Sequence, residues 1–541
     1  MELISIDQNS HTFWDVLPKL QALAHDGHSV CHCIEDIDVA FTAIGAQVED
    51  ETAEGEMRMA RERFYRGGAA DWGAAIFYFN FLGRQPVEIR RFEPFTGMKT
   101  NVLAGKLGCS VDDLYDRFSP SDNWQLIAAS YFQNRNLHRV IGDLGVSQTA
   151  GFLGEMIDIA RRDMLDAFEG VEAQRRVEGW IDVQRSVLAE LIEASGDNGA
   201  LVELYRRWLV RYAQPPISLG LTSELFACGR DAAQTALLEV FTARYDEAAG
   251  LYNSAIEETQ QPQRLLDIGR GELPFFATIA RDGHVVRSGV FLRGGGLQIA
   301  DMHFNLPGSG RIPTGRLKDA GVVALAGKAM VLVMQARIGS GGRALALPYR
   351  GSLYMPASNR LAEKLTEAGF MPGELQPIVR VRLGFLDALA TIETPIRLPE
   401  YLRGAMEADV VPASRLGTAW RGLIADARER LESFRTDEGR RRWRERTCGK
   451  MLEEINQLDA ARRDLARTDP KCPEIRSLSK QSRQLGARIL EATVEQIASD
   501  LHTTELDYWD SRGAVWPWAV ALGGDDFYND LIANARIYTE S

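Results

Sequence analysis

Two helical stripes of apolar residues, separated by a short break, constrain the C-terminal third of the chain. Their members recur three, four or seven residues apart and are Met451, Ile455, Leu458 and Leu465 in the first stripe, and Leu490, Val494, Ile497 and Leu501 in the second. Such spacing puts apolar side chains on one face of a helix, and the proline-containing break at 469–473 reverses the chain. The segment 413–505 is therefore predicted to form an antiparallel coiled-coil hairpin, and its apolar seam predicts a homodimer through the hairpin.

A series of alternating apolar runs, separated by turn residues, occupies residues 273–304. Asp282-Gly283 between two such runs is the strongest short hairpin signal, and RGGG at 293–296 marks the next turn. This pattern predicts an antiparallel β meander. The apolar runs at 344–349 and 378–385 are predicted to be further strands, and the segment 359–369 a helix that ends at Gly369.

The N-terminal half alternates between helical and strand patterns. Residues 13–25 are predicted to form a helix, 28–34 a short strand, and 74–82 a strand buried on both faces, as in a parallel sheet. Long helices are predicted over 100–260. The chain is therefore predicted to be an α/β protein with five segments: 1–99, the N-terminal part of the α/β core; 100–262, a helical insertion; 263–412, a sheet-containing part; 413–505, the helical hairpin; and 506–541, an aromatic tail that packs on the body.

Composition excludes several classes of protein. The net charge of -13 argues against a surface built mainly to wrap nucleic acid. The six cysteines are few and scattered, as in a reducing compartment, so a cytoplasmic location is predicted. No run reaches the roughly 18 apolar residues that a membrane span needs. We therefore predict neither a membrane segment nor a membrane partner.

Two clusters of polar side chains near the N terminus have a structural explanation and a functional one. The first contains imidazole and thiol groups, the ligands that zinc prefers: His25, His28, Cys31, His32 and Cys33. Its spacing matches no standard ligand pattern, so a strand with surface histidines is favoured and no metal is predicted. The second is Glu35-Asp36-Ile37-Asp38, where carboxylates are predicted to cap the next helix.

Residues 103–114 have the apolar, Gly and Ser spacing of a helix-turn-helix, and 144–153 resemble their core. A helix that reads DNA needs cationic or amide side chains at the base edges. Asp112 and Asp113 occupy the candidate second helix and would repel phosphates. A nucleic-acid-binding or nucleic-acid-modifying protein is therefore an alternative rather than the leading hypothesis.

The sheet region contains the candidates for small-molecule chemistry. The loop 339–343 presents Arg343 beside two glycines, which suits an anion. His303 ends a predicted strand and is a candidate general base. Four further polar side chains occur nearby in sequence and are Glu272, Tyr349, Arg350 and Tyr354.

The order of these parts resembles the bacillithiol cysteine ligase family. The resemblance rests on the loop Gly83-Arg84-Gln85-Pro86, on Pro94, Gly97 and Lys99, on Tyr349-Arg350-Gly351 before a helix, and on the hairpin with its aromatic tail. It implies a Rossmann-like core with helical insertions, dimerisation through the coiled coil, and chemistry that joins the carboxyl group of an amino acid to an amine. The chain departs from the family at Leu82, where the family has Thr, and at Tyr349–Leu353, where a Gly-Gly-Glu type of segment is expected.

The resulting prediction is a ligase or group transferase that joins an amino acid or a similar small carboxylate to an amine, with a nucleotide as the candidate cofactor. His303 as base and Gln85 as orienting group are the predicted catalytic residues. The predicted anion- or substrate-binding residues are Lys99, Arg343, Tyr349 and Arg350. These segments are predicted to meet around one cavity. A non-catalytic dimeric scaffold is the other alternative.

Overall fold

The computed structural model describes residues 2–6, 14, 16–38, 41–42, 76–77, 81–83, 87, 89–118, 125–126, 129–130, 132–134, 137–196, 198–259, 261, 265–328, 330–339, 341–352 and 354–540. The chain forms two compact units. Unit 1 comprises Met1–Phe81, Gln125–Ala388 and Tyr508–Ser541, and unit 2 comprises Leu82–Trp124 and Leu389–Asp507. Each unit is therefore built from segments that are distant in sequence.

The strands, in chain order, are β1 Glu2–Ile6, β2 Ser29–Ile34, β3 Phe41–Thr42, β4 Ile76–Phe77, β5 Gln125–Leu126, β6 Ala129–Ser130, β7 Phe132–Asn134, β8 Leu137–Arg139, β9 Ile217–Leu221, β10 Glu272–Arg281, β11 His284–Arg293, β12 Gly296–Ile299, β13 Met302–Asn305, β14 Val322–Gly327, β15 Leu345–Pro348, β16 Ile378–Arg382, β17 Pro395–Arg397, β18 Val410–Pro412 and β19 Arg536–Glu540.

The α-helices, in chain order, are α1 Leu17–His25, α2 Glu93–Thr96, α3 Thr100–Leu107, α4 Val111–Phe118, α5 Val146–Ala167, α6 Val171–Ser195, α7 Leu201–Tyr212, α8 Thr222–Leu225, α9 Ala232–Ala243, α10 Tyr245–Thr259, α11 Thr314–Asp319, α12 Met330–Ile338, α13 Met355–Glu367, α14 Phe385–Ala388, α15 Glu400–Met406, α16 Ala413–Phe434, α17 Asp437–Thr468, α18 Glu474–Thr503 and α19 Val515–Ala533.

A six-stranded mixed sheet forms one layer of unit 1, in the order β9-β2-β1-β15-β16-β19. The first five strands are parallel, and β19 is antiparallel to β16. Counted along the chain, the parallel strands run 3-2-1-4-5, so the strand order reverses between β1 and β15. Both faces of the central strands are covered, since Leu3 and Ile4 are both buried. That burial explains the adjacent apolar residues of β1, and the buried polar side chains of Ser5 and His32 are hydrogen-bonded to each other at 3.0 Å.

The second sheet of unit 1 is the predicted meander. Its strands pair antiparallel in the order β13-β12-β11-β10-β14, and β8 adds to β11 and β7 to β8. Asp282 and Gly283 both have positive φ, the backbone that a tight two-residue hairpin requires. The prediction of an antiparallel meander is thus confirmed, and the chain is a mixed α/β protein with a mostly parallel sheet and an antiparallel sheet.

An apolar cluster joins the two sheets. Small residues of β14, Ala324 and Ala326, pack in the same buried cluster as Ile4, Ile6 and Leu345 of the parallel sheet. Helix α12 contributes Val333 and Ala336 to this cluster. The two sheets and helix α12 therefore share one apolar core.

Unit 2 is dominated by helices. Helices α17 and α18 are joined by the segment Asp469–Pro473 and pack on one another, and their packing as a coiled coil stays a prediction. Burial is deepest far from this turn, where Val494 and Ile497 are fully buried, and it declines to half-buried at Leu465. The seam is therefore buried where it joins the core of unit 2 and only half-buried along the first stripe, and dimerisation through the hairpin stays a prediction.

Several sequence predictions differ from the structure. The first strand of the parallel sheet is β1, which was not predicted because so short a run at the N terminus lacks a turn signal before it. Of the predicted buried strand 74–82, Ile76–Phe77 form a two-residue pairing that is antiparallel to β5 and outside the parallel sheet. Phe81, another apolar residue of that run, packs against Phe168 and Trp518.

Candidate functional site

Parallel strands end at a common edge of a sheet, and the carboxyl edge of the six-stranded sheet concentrates polar side chains. Strand β2 leads directly into Glu35–Asp38, β9 into Thr222 and Ser223, and β15 into the loop Tyr349–Tyr354. These segments flank the end of β1 on both sides, because β2 and β15 are its neighbours. Ligands of open α/β sheets bind at this kind of edge.

The two carboxyl groups nearest the strand end are buried. Glu35 accepts hydrogen bonds from the backbone N–H groups of Ile37 (2.8 Å) and Asp38 (2.9 Å), so the chain folds around this side chain. Burial, together with the charges of Asp38 and Asp36, holds the pKa of Glu35 well above its usual range. Burial also raises the pKa of Asp36, which accepts a 2.7 Å hydrogen bond from the N–H of Ser223.

The carboxylate of Asp38 is paired with a cationic side chain of the antiparallel sheet. Arg287, on β11, forms an ion pair with the Asp38 carboxylate, and its Cζ atom lies 3.5 Å from the ring centroid of Phe276 on β10. Lys328 lies over the same ring at 4.9 Å and pairs with Glu272 at 2.6 Å. Two cations, two carboxylates and one aromatic face therefore form a single network, which we call the edge network.

The loop after β15 is held in place by an arginine of the neighbouring strand β16. The guanidinium of Arg380 donates to the carbonyl oxygens of Pro348 (3.1 Å) and Gly351 (2.7 Å). Ser352 adopts a positive φ of 63, which is uncommon for a residue other than glycine. Its hydroxyl is buried and has no hydrogen-bond partner among the described residues. Strained, unsatisfied polar groups of this kind concentrate at functional sites.

Tyr354 connects this loop to the edge network. Burial raises the pKa of the Tyr354 phenol, and the negative charge of Asp38 raises it further. The raised pKa therefore favours the protonated, hydrogen-donating form of the phenol. The fold thus brings Asp38, which follows β2, against Arg287 of β11.

The predicted anion-binding residues of unit 1 divide between the two ends of β15. Arg343 precedes β15 and pairs with Glu2 at 3.1 Å, at the amino edge of the sheet. Tyr349 and Arg350 follow β15 at the carboxyl edge, where the Tyr349 ring lies 4.5 Å from Cζ of Arg382. A four-residue strand spans roughly 13 Å, so Arg343 does not share the site of Tyr349 and Arg350.

The remaining predicted site residues lie elsewhere. His303 is exposed on β13, the edge strand of the antiparallel sheet, and its Nε2 lies 3.2 Å from Oδ1 of Asn305. Lys99 belongs to unit 2, where it is highly exposed and pairs with Glu93 at 2.9 Å. Gln85 lies outside the described residues. Among the predicted site residues that the structure describes in unit 1, Tyr349 and Arg350 are thus the ones that lie at the carboxyl edge.

Two other predictions can be compared with the structure. Asp36 accepts a hydrogen bond from Ser223 N–H in the first turn of α8, because β9 and β2 are neighbours, and the helix predicted to follow Asp38 in sequence lies largely outside the described residues. Residues 103–114 form two helices, α3 and α4, with Asp113 accepting from the N–H of Ser110 at 2.7 Å. Residues 144–153 instead run into the single helix α5. A nucleic-acid function stays a prediction.

The residues that sequence reasoning missed are Arg287, Phe276 and Lys328. The register of the predicted hairpin could have placed Arg287 diagonally across from Phe276, since Thr278 pairs with Arg287. Nothing in the sequence could have placed Asp38 against them, because 249 positions separate Asp38 and Arg287.

Comparison with known proteins adds no further constraint. No protein-family model matches the chain, and no curated protein matches it significantly. Within the described residues, every helix is too short or too polar to span a bilayer. The described part of the chain also contains no group of three or more His, Cys, Asp or Glu side chains arranged to hold a metal ion.

Proposed function

We propose that this protein is a ligase or group transferase that joins a small carboxylate, such as an amino acid, to an amine at the carboxyl edge of its parallel sheet. The proposal includes a Rossmann-like core and a coiled-coil hairpin. The observation that carries it is the ion pair between Asp38, which follows β2, and Arg287 of the antiparallel sheet, at the carboxyl edge where the strand order reverses between β1 and β15. That point is where doubly wound sheets bind their ligands.

The edge network has the groups that this chemistry needs. An attacking amine must lose a proton, and a carboxylate such as Asp38 can accept it. The carboxyl carbon would first be activated by the nucleotide as an acyl phosphate or acyl nucleotide; attack by the amine then places negative charge on the carbonyl oxygen, which the guanidinium of Arg287 can stabilise, and the bond to the phosphate or nucleotide breaks as that group leaves. Tyr354 can donate a hydrogen bond to the same oxygen. In the free protein Arg287 pairs with Asp38. Substrate binding would break this ion pair, so that Arg287 contacts the carboxyl group of the substrate and Asp38 contacts its amine.

Ligand binding to the full chain is the first test of the proposed ligase or transferase activity. A thermal-shift screen would use the twenty standard amino acids, small di-amines and ATP, singly and in pairs. A ligand that binds only the folded protein stabilises it by about 2.7 kcal/mol at a hundred times its Kd. We expect stabilisation by an amino acid or a related carboxylate, and a further increase with ATP if a nucleotide activates the carboxyl group.

Arg287 and Arg281 provide a matched pair of variants. Both lie on the antiparallel sheet, but Arg281 pairs with the exposed Asp301 away from the edge network. We expect Arg287→Gln to abolish ligand stabilisation, Arg287→Lys to weaken it, and Arg281→Gln to leave it unchanged. Equal losses in Arg287→Gln and Arg281→Gln, or no ligand among the carboxylates and amines tested, would contradict the proposal.

A further inference from the structure

The part of the helical hairpin nearest its turn has a charge opposite to that of the whole chain. Residues 462–488, which we call the distal hairpin, contain eight Lys or Arg and three Asp or Glu, whereas the net charge of the chain is -13. The stretch 475–490 of α18 contains four of these cations and no acidic residue. The positive charge is therefore concentrated on α18.

Three of the cations lie on one face of α18. Arg476, Lys480 and Arg483 follow one another at steps of four and three residues, which places them on the same side of a helix. All three side chains are exposed. At a rise of about 1.5 Å per residue they extend over about 10 Å. We call these three residues the cationic stripe.

The cationic stripe has no anionic partner among the residues that the structure describes. None of its three side chains forms an ion pair with a described carboxylate, and Arg483 donates instead to the carbonyl oxygen of Ser479 at 3.2 Å. Farther from the turn, charges on the same helix are paired, since Glu491 lies 2.7 Å from Arg117. The stripe therefore presents three charges that the fold leaves uncompensated.

The three acidic residues of the distal hairpin do not neutralise the stripe. Asp464 lies 3.7 Å from Arg467 on α17, and Asp469 accepts a 3.2 Å hydrogen bond from the N–H of Lys471 in the turn. Glu474 begins α18 two residues before the stripe. Because residues two apart on a helix do not face each other, its carboxylate projects from another side.

The surroundings of the stripe favour a duplex of nucleic acid over other anionic partners. No Phe, Tyr or Trp occurs between Trp443 and Tyr508, and no large apolar side chain of the hairpin, all of which is described, is exposed. A membrane surface needs apolar anchors, and single-stranded nucleic acid needs aromatic rings on which bases stack. A duplex needs neither, because its backbone offers one charge per about 1.7 Å of axis to the forked donors of arginine.

From these observations we propose that the cationic stripe binds the phosphate backbone of a nucleic-acid duplex without regard to base sequence. This surface differs from the helix-turn-helix-like segments 103–114 and 144–153. The proposal does not rest on the proposed function, because the stripe belongs to unit 2 and the edge network to unit 1. A failed screen for carboxylates and amines would therefore leave it standing.

The test measures binding of the full chain to a labelled DNA duplex by fluorescence anisotropy at several salt concentrations. We expect equal affinity for two duplexes of unrelated sequence. The triple variant Arg476→Gln, Lys480→Gln and Arg483→Gln should bind at least about tenfold more weakly at about 0.1 M salt. The slope of log K against log salt concentration should become shallower by about 2.7, since each lost phosphate contact contributes about 0.9.

A second triple variant controls for net charge. Arg175→Gln, Arg281→Gln and Arg441→Gln remove the same charge from exposed arginines that already have carboxylate partners. This variant should bind the duplex like the wild type, and both triple variants should keep the wild-type unfolding midpoint. Equal losses in the two variants would overturn the proposal. So would binding of phosphatidylserine vesicles or polyglutamate as tight as that of the duplex.

A footprint on the wild type locates the contact without any variant. Lysines are acetylated with and without the duplex, and the modified peptides are quantified by mass spectrometry. We expect the duplex to protect Lys480 and to leave the exposed Lys106 of α3 unprotected. Protection of Lys106 without Lys480 would overturn the proposal and assign binding to the helix-turn-helix-like segment instead. Protection of neither lysine would overturn it as well.

Discussion

The edge network and the hairpin α17–α18 use charge in opposite ways. In the edge network, ion pairs such as Asp38–Arg287 join segments far apart in sequence and are largely buried. On the hairpin, pairs such as Glu438–Arg441 lie within one helical turn, with about half of each side chain exposed. Exposed pairs within a helix contribute little to stability, whereas buried ions carry a large desolvation cost. The difference identifies the edge network as a region where the fold accepts an energetic cost, whereas the ion pairs of the hairpin carry little cost.

The largest effect is expected when one partner of a buried pair is removed. Lys328→Met leaves the Glu272 carboxylate, whose side chain is only 5% exposed, without its ammonium partner. We expect the free energy of unfolding to fall by about 3–5 kcal/mol, measured by urea denaturation of the full chain.

Two further variants test whether this loss comes from the unpaired charge. Lys328→Met combined with Glu272→Gln should recover much of the lost stability, because no buried charge is then left alone. Arg441→Met on the hairpin should leave the unfolding midpoint unchanged. A comparable loss in Arg441→Met, or no recovery in the double variant, would remove the contrast between the two regions.

A somewhat smaller loss is expected in the core that anchors the hairpin. Ile497 is fully buried, so Ile497→Ala should lower the free energy of unfolding by about 2–5 kcal/mol. Leu465 lies nearer the turn and is half-buried, so Leu465→Ala should lower the free energy of unfolding clearly less than Ile497→Ala does. Chemical denaturation of both variants measures this gradient. Equal costs would mean that the hairpin near the turn is covered by something further, such as a second copy of the chain.

The pH dependence of stability should have opposite signs in the two regions. The folded-state pKa of Glu35 is raised by burial, so stability is lost as pH rises through the unfolded-state pKa toward the folded one. Glu35→Gln should therefore be stabilising at neutral pH and neutral in effect well below pH 4, with each unit of upward pKa shift worth about 1.4 kcal/mol.

Glu438 on the hairpin is the matched carboxylate with the opposite shift. The hydrogen bond with Arg441 lowers the pKa of Glu438, so its contribution to stability is present above the unfolded-state pKa and is lost as pH falls. Glu438→Gln should therefore be slightly destabilising at neutral pH. Urea denaturation across the acidic range measures both variants. A destabilising Glu35→Gln at neutral pH would mean that its carboxylate, rather than the acid, is the folded form.

The two regions also differ in how far the sequence predicts them. The meander and the helical hairpin follow from local patterns, since Asp282-Gly283 and the stripes around Ile455 and Val494 each specify their own element. The site depends on long-range strand order, which no local pattern contains. Strand β1 was missed, and without it the reversal beside β15 cannot be located. Glu35–Asp38 were noticed, but the sequence offered no reason to place Arg287 beside them.

The predicted site residues illustrate the same limit. Tyr349 and Arg350 were found because they follow a recognisable strand, and the carboxyl edge is where such residues gather. Arg343 was grouped with them because both lie near β15, although they occupy opposite ends of it. Proximity in sequence therefore predicts the strand, but it does not predict at which end of the strand each side chain lies.

Hydrogen exchange measured by mass spectrometry on the full chain, with and without the carboxylate or amine that gives the largest thermal shift, tests the central claim most directly. We predict slower exchange in the peptides that contain residues 35–38 and 349–354, because the ligand would cover the carboxyl edge on both sides of β1. Protection confined to the peptide around His303, or to the hairpin, would contradict the account.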